Sequence, residues 1–229
     1  MTNDRIDAIV FDLDGTLIDS APDLRAALNV FLVTQGRSEI DLATVHRMIG
    51  DGSTVFVRQA MEMTGDPADE TELPAMVRAY LDIYEANVAV LTEPYDGVLD
   101  TLAAIKKAGY RTGVCTNKPQ AAALGVLDAL GLAPHIDAVG GGDHYPERKP
   151  HPGHLLGLLN DLGVDPGRTI MVGDNEHDAA AAEGAGAEFV LMSYGYARKP
   201  LDQIPAAARL DRFTDLPDVI ARLDRSPSS

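Results

Sequence analysis

The pattern of apolar positions divides the chain into short buried strands and spaced helical stripes. The apolar run at residues 8–11 is rich in β-branched and aromatic side chains, which predicts a strand buried on both faces. Further strands are predicted at 110–115, 169–172 and 188–192, with a weaker one at 138–139. Helical patterns follow most of these strands. This alternation predicts an α/β fold with a Rossmann-like parallel sheet covered on both faces.

Residues 18–90 show a different pattern, with successive helical stripes and no strong strand. A βαβ unit needs roughly 30 residues, yet about a hundred separate the ends of the first two strands. We therefore predict that residues 18–90 form an inserted all-helical domain. The α/β core would then consist of residues 1–17 and 91–229.

The net charge and the cysteine content of the chain exclude several classes of function. The formal net charge of −16 argues against nucleic acid or an anionic membrane as a partner. It would also repel an anionic substrate, unless a metal and local cations reverse the field at the site. The single cysteine, Cys115, excludes an internal disulfide and fits a reducing compartment. With no signal peptide and no membrane-spanning run, we expect a cytoplasmic protein, either a monomer or a homodimer.

Polar side chains stand where four of the predicted strands end. Each has a simple explanation as a turn former, a helix cap or a solvated surface residue. Ligands of open parallel sheets bind beyond the carboxyl ends of the strands, so this many polar groups at one sheet edge favour a shared site. The residues concerned are Asp12, Asp14, Thr116, Asn117, Lys149, Asp174 and Asp178.

These groups offer the parts that phosphoryl transfer requires. Asp12, Asp174 and Asp178 present only oxygen ligands, which suit Mg²⁺ better than zinc. The Thr116 hydroxyl and the Asn117 backbone N–H can donate to an oxyanion, while the lysine adds a fixed positive charge. A carboxylate can attack phosphorus, and a second carboxyl two residues on can protonate the leaving oxygen and then activate water.

Two other classes of protein explain the pattern less well. A phospho-signalling receiver also clusters acids, a threonine and a lysine at one sheet edge. It has no use for an insertion after its first strand, nor for Asp14 as an acid/base. A catalytically inactive binding protein is disfavoured because Asp12, Asp14, Lys149 and Asp174 are all present.

Four motifs, in this order, resemble those of the haloacid dehalogenase-like phosphohydrolases. The resemblance covers almost the whole chain and implies the fold of that family, with the inserted helices as its cap domain. A dehalogenase is disfavoured, because that reaction has no leaving alkoxide to protonate. The motifs are Asp12-Leu13-Asp14-Gly15-Thr16, Thr116-Asn117, Lys149-Pro150, and Gly173-Asp174 with Asp178.

The resemblance implies a role for each motif residue. Asp12 would be the nucleophile that forms an aspartyl-phosphate, and Asp14 would be the general acid/base. Mg²⁺ would be held by Asp12, the Asp14 backbone carbonyl and Asp174, with Asp178 supporting that shell. The phosphoryl group would be bound by Thr116 and Lys149, alongside the Asn117 N–H.

Within the family, six stretches are most similar to the phosphoglycolate phosphatases: 19–24, 49–52, 114–119, 141–143, 148–152 and 194–196. This similarity implies that the small phosphorylated metabolite is 2-phosphoglycolate, hydrolysed to glycolate and phosphate. Hydrolysis of another small phosphomonoester, or a phosphomutase reaction like that of β-phosphoglucomutase, stays open as an alternative.

The Gly50-Asp51-Gly52 loop lies between two predicted helices of the inserted domain. Glycines let backbone come close to a ligand, and a helix starting near Ser53 would direct free N–H groups at an anion such as the substrate carboxylate. A plain interhelical turn is the alternative. His177 stands in the last motif, where it could touch substrate or be solvated.

Overall fold

The strands of the computed structural model, which describes residues 6–224, form one large sheet and one small ribbon. They are β1 (Ala8–Phe11), β2 (Ile18–Asp19), β3 (Glu93–Pro94), β4 (Arg111–Cys115), β5 (Ala138–Gly140), β6 (Thr169–Gly173), β7 (Glu188–Met192) and β8 (Ala208–Leu210). The large sheet has the order β5-β4-β1-β6-β7-β8, and every neighbouring pair in it is parallel. The predicted α/β class with a parallel sheet is therefore confirmed.

Helices cover both faces of this sheet and fill the inserted segment. They are α1 (Ala21–Thr34), α2 (Leu42–Met48), α3 (Ser53–Thr64), α4 (Leu73–Glu85), α5 (Val98–Lys107), α6 (Gln120–Ala129), α7 (Pro152–Leu162), α8 (Glu176–Ala185) and α9 (Leu216–Leu223). Each helix predicted from an apolar stripe is present, with its ends within a few residues of the expected positions.

Strand β1 is the centre of the core, and its four residues have no exposed surface. Successive side chains of a strand point to opposite faces. Ile9 and Phe11 accordingly pack in one apolar cluster with α5, α6 and α9. Val10 packs in a second cluster with α7 and α8. The prediction of a strand buried on both faces is confirmed.

Helices α1 to α4 bury their apolar stripes mainly against one another, in a third apolar cluster. Its largest buried side chains include Phe31, Tyr80 and Tyr84. The core contributes Ala122 and Tyr196 to this cluster. The helical segment therefore has an apolar core of its own, joined to the sheet domain over a limited contact.

The two chain segments that join the helices to the sheet are tied together. Strands β2 and β3 form a two-stranded antiparallel ribbon at this junction. The Asp23 carboxylate accepts hydrogen bonds from the backbone N–H groups of Leu91 and Thr92 and from the Thr92 hydroxyl. The Tyr196 hydroxyl accepts from the Ser20 N–H. These bonds fix where the inserted helices begin and end.

Three strands were not expected from the sequence pattern. Strands β2 and β3 have two residues each, and β8 has three, so none is long enough to show alternation. They form because neighbouring backbone completes their pairing. Cys115 has no exposed surface, and burial raises its pKa to about 12, as expected for a small core hydrophobe. Among the described residues, no helix combines the length and apolar character needed to cross a membrane.

Candidate active site

The parallel sheet brings the predicted polar residues together at the carboxyl ends of its three central strands. Asp12 follows β1, Thr116 follows β4 and Asp174 follows β6. Because β4, β1 and β6 are neighbours, these three residues meet at one edge. Asp178 joins them from the first turn of α8, and Lys149 from the loop before α7. All five side chains are buried.

Lys149 is held between two of these carboxylates. Its Nζ lies 2.7 Å from Asp12 Oδ1 and 2.7 Å from Asp178 Oδ1. The lysine backbone is fixed as well, since its N–H donates to His154 Nδ1 and its carbonyl accepts from Asn117 Nδ2. Burial opposes the charge of Lys149, but the two carboxylates outweigh this effect and raise its pKa. The ammonium group is therefore a fixed positive charge beside Asp12.

The Asp174 carboxylate is positioned by direct hydrogen bonds and by close backbone. It accepts from the Tyr196 N–H and, at 3.0 Å, from Asn175 Nδ2. Gly15 and Gly195 lie so close to it that a Cβ at either position would overlap the carboxylate. Gly15 also has a φ of 88°, a conformation that L side chains rarely adopt. Any side chain at these glycines would displace Asp174.

The acidic cluster has the composition of a hard-cation site. Asp12, Asp174 and Asp178 each place a carboxylate oxygen within 4.8 Å of the others. Asp178 is already engaged, because its Oδ2 accepts from the backbone N–H groups of Asp174 and Asn175 and its Oδ1 meets the lysine. Asp12 Oδ1 is buried and has no aligned hydrogen-bond donor, although it is ion-paired. The cluster thus retains free oxygen donors, which suit Mg²⁺.

Crowding of buried carboxylates perturbs their acidity. Burial raises the pKa of Asp12 to about 7; Lys149 opposes this shift and Asp178 adds to it. Burial also raises the pKa of Asp174, and the charges of Asp178 and Asp12 raise it further. A bound divalent cation would stabilise the ionised form of both groups.

Asp14 lines the cavity together with Asp12. Its Oδ1 accepts from the Ser20 hydroxyl at 2.6 Å. Lys118 Nζ lies 3.0 and 3.2 Å from its two oxygens. Asp14 is therefore held by one hydroxyl and one ammonium group, in a position separate from that of Asp12.

Hydrogen-bond donors face the same space. The Thr116 hydroxyl oxygen accepts from the Lys118 N–H, which leaves its own proton available to a ligand. Within the described chain, no hydrogen bond uses the backbone N–H groups of Leu13, Asp14 or Asn117. Free N–H groups and a hydroxyl beside a lysine make a suitable binding site for a phosphoryl group.

The inserted helices close the other side of this cavity. Gly50 and Gly52 both line it. The Gly50 carbonyl accepts from Asn117 Nδ2 at 2.8 Å, so this loop is hydrogen-bonded to the core. Helix α3 starts directly after Gly52. Because glycine has no side chain, no side-chain hydrogen bond caps the N-terminus of this helix. Apart from Ser53, the remainder of the helical wall is apolar and consists of Leu24, Met48, Ile49, Phe56, Leu81 and the rings of Tyr80 and Tyr84.

His177 lines the cavity at the boundary between helices and core. Its Nδ1 lies 3.4 Å from Asp51 Oδ1, and its Nε2 lies 3.2 Å from an Arg198 nitrogen. Arg198 also forms an ion pair with Asp51. Burial tends to raise the pKa of Asp51, but the hydrogen bond and charge of Arg198 lower it. This ion pair links the Gly50–Gly52 loop to the core.

Sequence reasoning missed two residues of this site, Lys118 and Tyr84. Lys118 is two positions after Thr116, a spacing that places side chains on the same side of an extended segment. That spacing could have marked it. Tyr84 belongs to the apolar stripe of α4, which accounts for its ring but gives no signal for its hydroxyl.

Comparison with known proteins agrees with this geometry. Residues 9–192 match the family model of the haloacid dehalogenase-like hydrolases. A relative from Rhodospirillum rubrum named phosphoglycolate phosphatase is 42% identical over 215 residues, covering 92% of this chain and 89% of that protein.

Solved structures show the same similarity. A predicted phosphoglycolate phosphatase from Haemophilus somnus has a TM-score of 0.89 and 32% identity, covering 96% of this chain and 99% of that one. CbbY from Rhodobacter sphaeroides, solved with phosphate, has a TM-score of 0.81 and 27% identity, covering 92% and 96%. The resemblance carried by the four motifs is confirmed. This chain belongs to the haloacid dehalogenase-like hydrolases.

Proposed function

We propose that this protein is a Mg²⁺-dependent phosphatase that hydrolyses 2-phosphoglycolate to glycolate and phosphate. The observation that carries the reaction type is the buried Asp12 carboxylate. This carboxylate lines the cavity and lies beside the Lys149 ammonium group, so a phosphoryl group bound by the lysine would lie within its reach. The substrate is supported by the relatives named phosphoglycolate phosphatase, which share 36–42% of their residues with this chain over most of its length.

The residues at the sheet edge fit a Mg²⁺ ion. The available donors are oxygens, and the unsatisfied Asp12 Oδ1 is the kind of group that a cation would engage. We assign Asp12, Asp174 and the Asp14 backbone carbonyl as its ligands. Asp178 orients these ligands, because it forms an ion pair with Lys149 and accepts a hydrogen bond from the Asp174 N–H. The bound cation would neutralise charge on the phosphoryl oxygens.

The proposed reaction has two steps. In the first, the Asp12 carboxylate attacks phosphorus, the bond from phosphorus to the ester oxygen breaks, and Asp14 gives its proton to the leaving alkoxide. In the second, the Asp14 carboxylate takes a proton from water, whose oxygen attacks phosphorus and releases Asp12 and inorganic phosphate. The different partners of the two carboxylates, Lys149 for Asp12 and Lys118 for Asp14, support this division of roles.

The phosphoryl group would be held by the donors beside Asp12. Lys149 supplies a fixed positive charge, and Thr116 and the Asn117 N–H supply hydrogen bonds. These groups are already oriented by their own contacts, so little reorganisation is needed when charge develops in the transition state.

The inserted helices, residues 18–90, are proposed to act as a cap domain over the α/β core of residues 1–17 and 91–229. Their separate apolar cluster and the tied junction support this division. The Gly50–Gly52 loop would bring cap backbone close to the substrate. Closing such a lid excludes bulk water from the phosphoryl group, and opening it releases product. The single buried cysteine is consistent with a cytoplasmic location.

A substrate screen tests the proposal. The purified protein with Mg²⁺ is assayed for phosphate release from 2-phosphoglycolate, other small phosphomonoesters and β-glucose 1-phosphate. We expect 2-phosphoglycolate to have the highest kcat/KM, and Asp12→Asn to abolish turnover. Conversion of β-glucose 1-phosphate to glucose 6-phosphate without phosphate release would instead show a phosphomutase.

A further inference from the structure

Lys118 is a buried cation with no role in the reaction described above. It is 6% exposed and lines the cavity at the boundary between core and cap. Its Nζ contacts both oxygens of Asp14 and lies 4.7 Å from the ring centroid of Tyr84 on α4. The ammonium group is thus held between the proposed general acid and an aromatic ring of the cap.

The fixed charges around the cavity show why this position matters. Among the described residues that line it, Lys118 and Lys149 are the lysines, and no arginine lines it. Lys149 is engaged by Asp12 and Asp178 on the phosphoryl side. Much of the cap wall is apolar. Lys118 is therefore the fixed cation available to an anionic group at the other end of a substrate.

Tyr84 provides a second observation. Its side chain is 2% exposed, and its hydroxyl lies beside the Lys118 ammonium group without an aligned hydrogen bond in the described structure. A buried unsatisfied hydroxyl is costly, unless a ligand completes it. A carboxylate placed between Lys118 Nζ and the Tyr84 hydroxyl would accept from both groups.

We propose that Lys118 and the Tyr84 hydroxyl bind the substrate carboxylate and make the enzyme selective for phosphorylated carboxylic acids. This inference rests on the proposed phosphatase function and assigns residues to its specificity. An ammonium group has three donors, so Lys118 can contact Asp14 and a carboxylate together. In 2-phosphoglycolate one methylene separates the carboxylate from the ester oxygen, so a carboxylate held at Lys118 places that oxygen near Asp14.

The N-terminus of α3, next to Gly52, is the other anion site considered for the carboxylate. It offers backbone N–H groups, and the Arg148 guanidinium lies beside Gly52, but Arg148 is exposed and does not line the cavity. Lys118 offers a full charge in a site shielded from water, where electrostatic attraction is stronger. The two locations predict different sensitive residues, which allows a direct test.

The experiment compares two substrates that differ in the group at the end opposite the phosphate. Wild type, Tyr84→Phe and Lys118→Met are assayed on 2-phosphoglycolate and on ethyl phosphate, in which a methyl group replaces the carboxylate. Tyr84→Phe removes the hydroxyl, keeps the ring and leaves Asp14 untouched, so it is the cleaner variant. Lys107→Met, at an exposed lysine on α5, is the matched control. Thermal unfolding checks that each variant is folded.

We expect Tyr84→Phe to lower kcat/KM for 2-phosphoglycolate about tenfold, mainly through KM, with little change for ethyl phosphate. Lys118→Met should slow both substrates, because Asp14 loses its partner, but should lower the ratio of the two kcat/KM values at least about tenfold. An unchanged ratio in both variants would overturn the inference while leaving phosphatase function intact. If wild type released phosphate from neither substrate, the proposed function itself would be refuted.

Discussion

His154 should make the stability of this protein depend on pH near neutrality. Its ring has no exposed surface, its Nδ1 accepts from the Lys149 N–H and its Nε2 lies 3.0 Å from the Gly140 carbonyl. This pairing requires a neutral imidazole with its proton on Nε2. Burial and the charge of Lys149 lower the pKa of His154 from 6.5 to about 4.

The sign and size of the effect follow from this shift. Below about pH 6.5 the unfolded state takes up a proton that folded His154 does not, so the folded state loses stability as pH falls. The contribution of His154 is complete above about pH 6.5, and the loss levels off below its folded pKa of about 4. Between about pH 7.5 and about pH 5, the difference amounts to about 2 kcal/mol in the free energy of unfolding.

Chemical denaturation at these two pH values measures the effect. His154→Gln cannot titrate but keeps an amide that can donate to the Gly140 carbonyl. The free energy of unfolding should fall for both proteins between about pH 7.5 and about pH 5. We expect the fall to be about 2 kcal/mol smaller for His154→Gln than for wild type. His144→Gln, at an exposed histidine, should behave like wild type. Equal losses in wild type and His154→Gln would refute the account of this buried histidine.

Further changes test the metal site, the acid and the cap loop. Asp14→Asn should retain Mg²⁺ binding but lower kcat for 2-phosphoglycolate by on the order of 10²–10⁴-fold, measured as phosphate release. Chelator should abolish activity, Mg²⁺ should restore it, and Ca²⁺ should substitute poorly, because calcium prefers longer bonds and more ligands. Gly195→Ala should displace Asp174 and raise the Mg²⁺ concentration for half-maximal activity about tenfold, whereas Gly125→Ala on α6 should not. Valine at Gly52 should raise KM for 2-phosphoglycolate more than for p-nitrophenyl phosphate; equal effects would indicate a plain turn.

Most of the sheet and its helices could be predicted because their side-chain patterns are local. Strand β1 is fully apolar, and the stripes of the helices repeat at helical spacing. Strands β2, β3 and β8 were missed because each consists of two or three residues, and their pairing depends on distant backbone. The residues of such a short strand do not indicate which distant segment it pairs with.

The site was predictable to the extent that parallel strands collect their carboxyl ends at one edge. This rule brought Asp12, Thr116 and Asp174 together from positions far apart in the chain. The packing of the cap on that edge could not be derived in the same way, because it depends on how α4 meets the core. The contact between Lys118 and Tyr84 exists only in that packing, so it could not be predicted from the spacing of Lys118 or from the apolar stripe of α4.

The central claim is that the phosphoryl group passes through Asp12. The most direct measurement uses Asp14→Asn with p-nitrophenyl phosphate, whose leaving group needs no proton, so that only the second step is slowed. Rapid acid quenching followed by mass spectrometry of the peptides then locates any bound phosphate. We expect phosphate on Asp12, building up before steady-state turnover and absent from Asp12→Asn. Phosphate on another residue, or an Asp12 peptide that is unmodified at every quench time although p-nitrophenol is released, would contradict it.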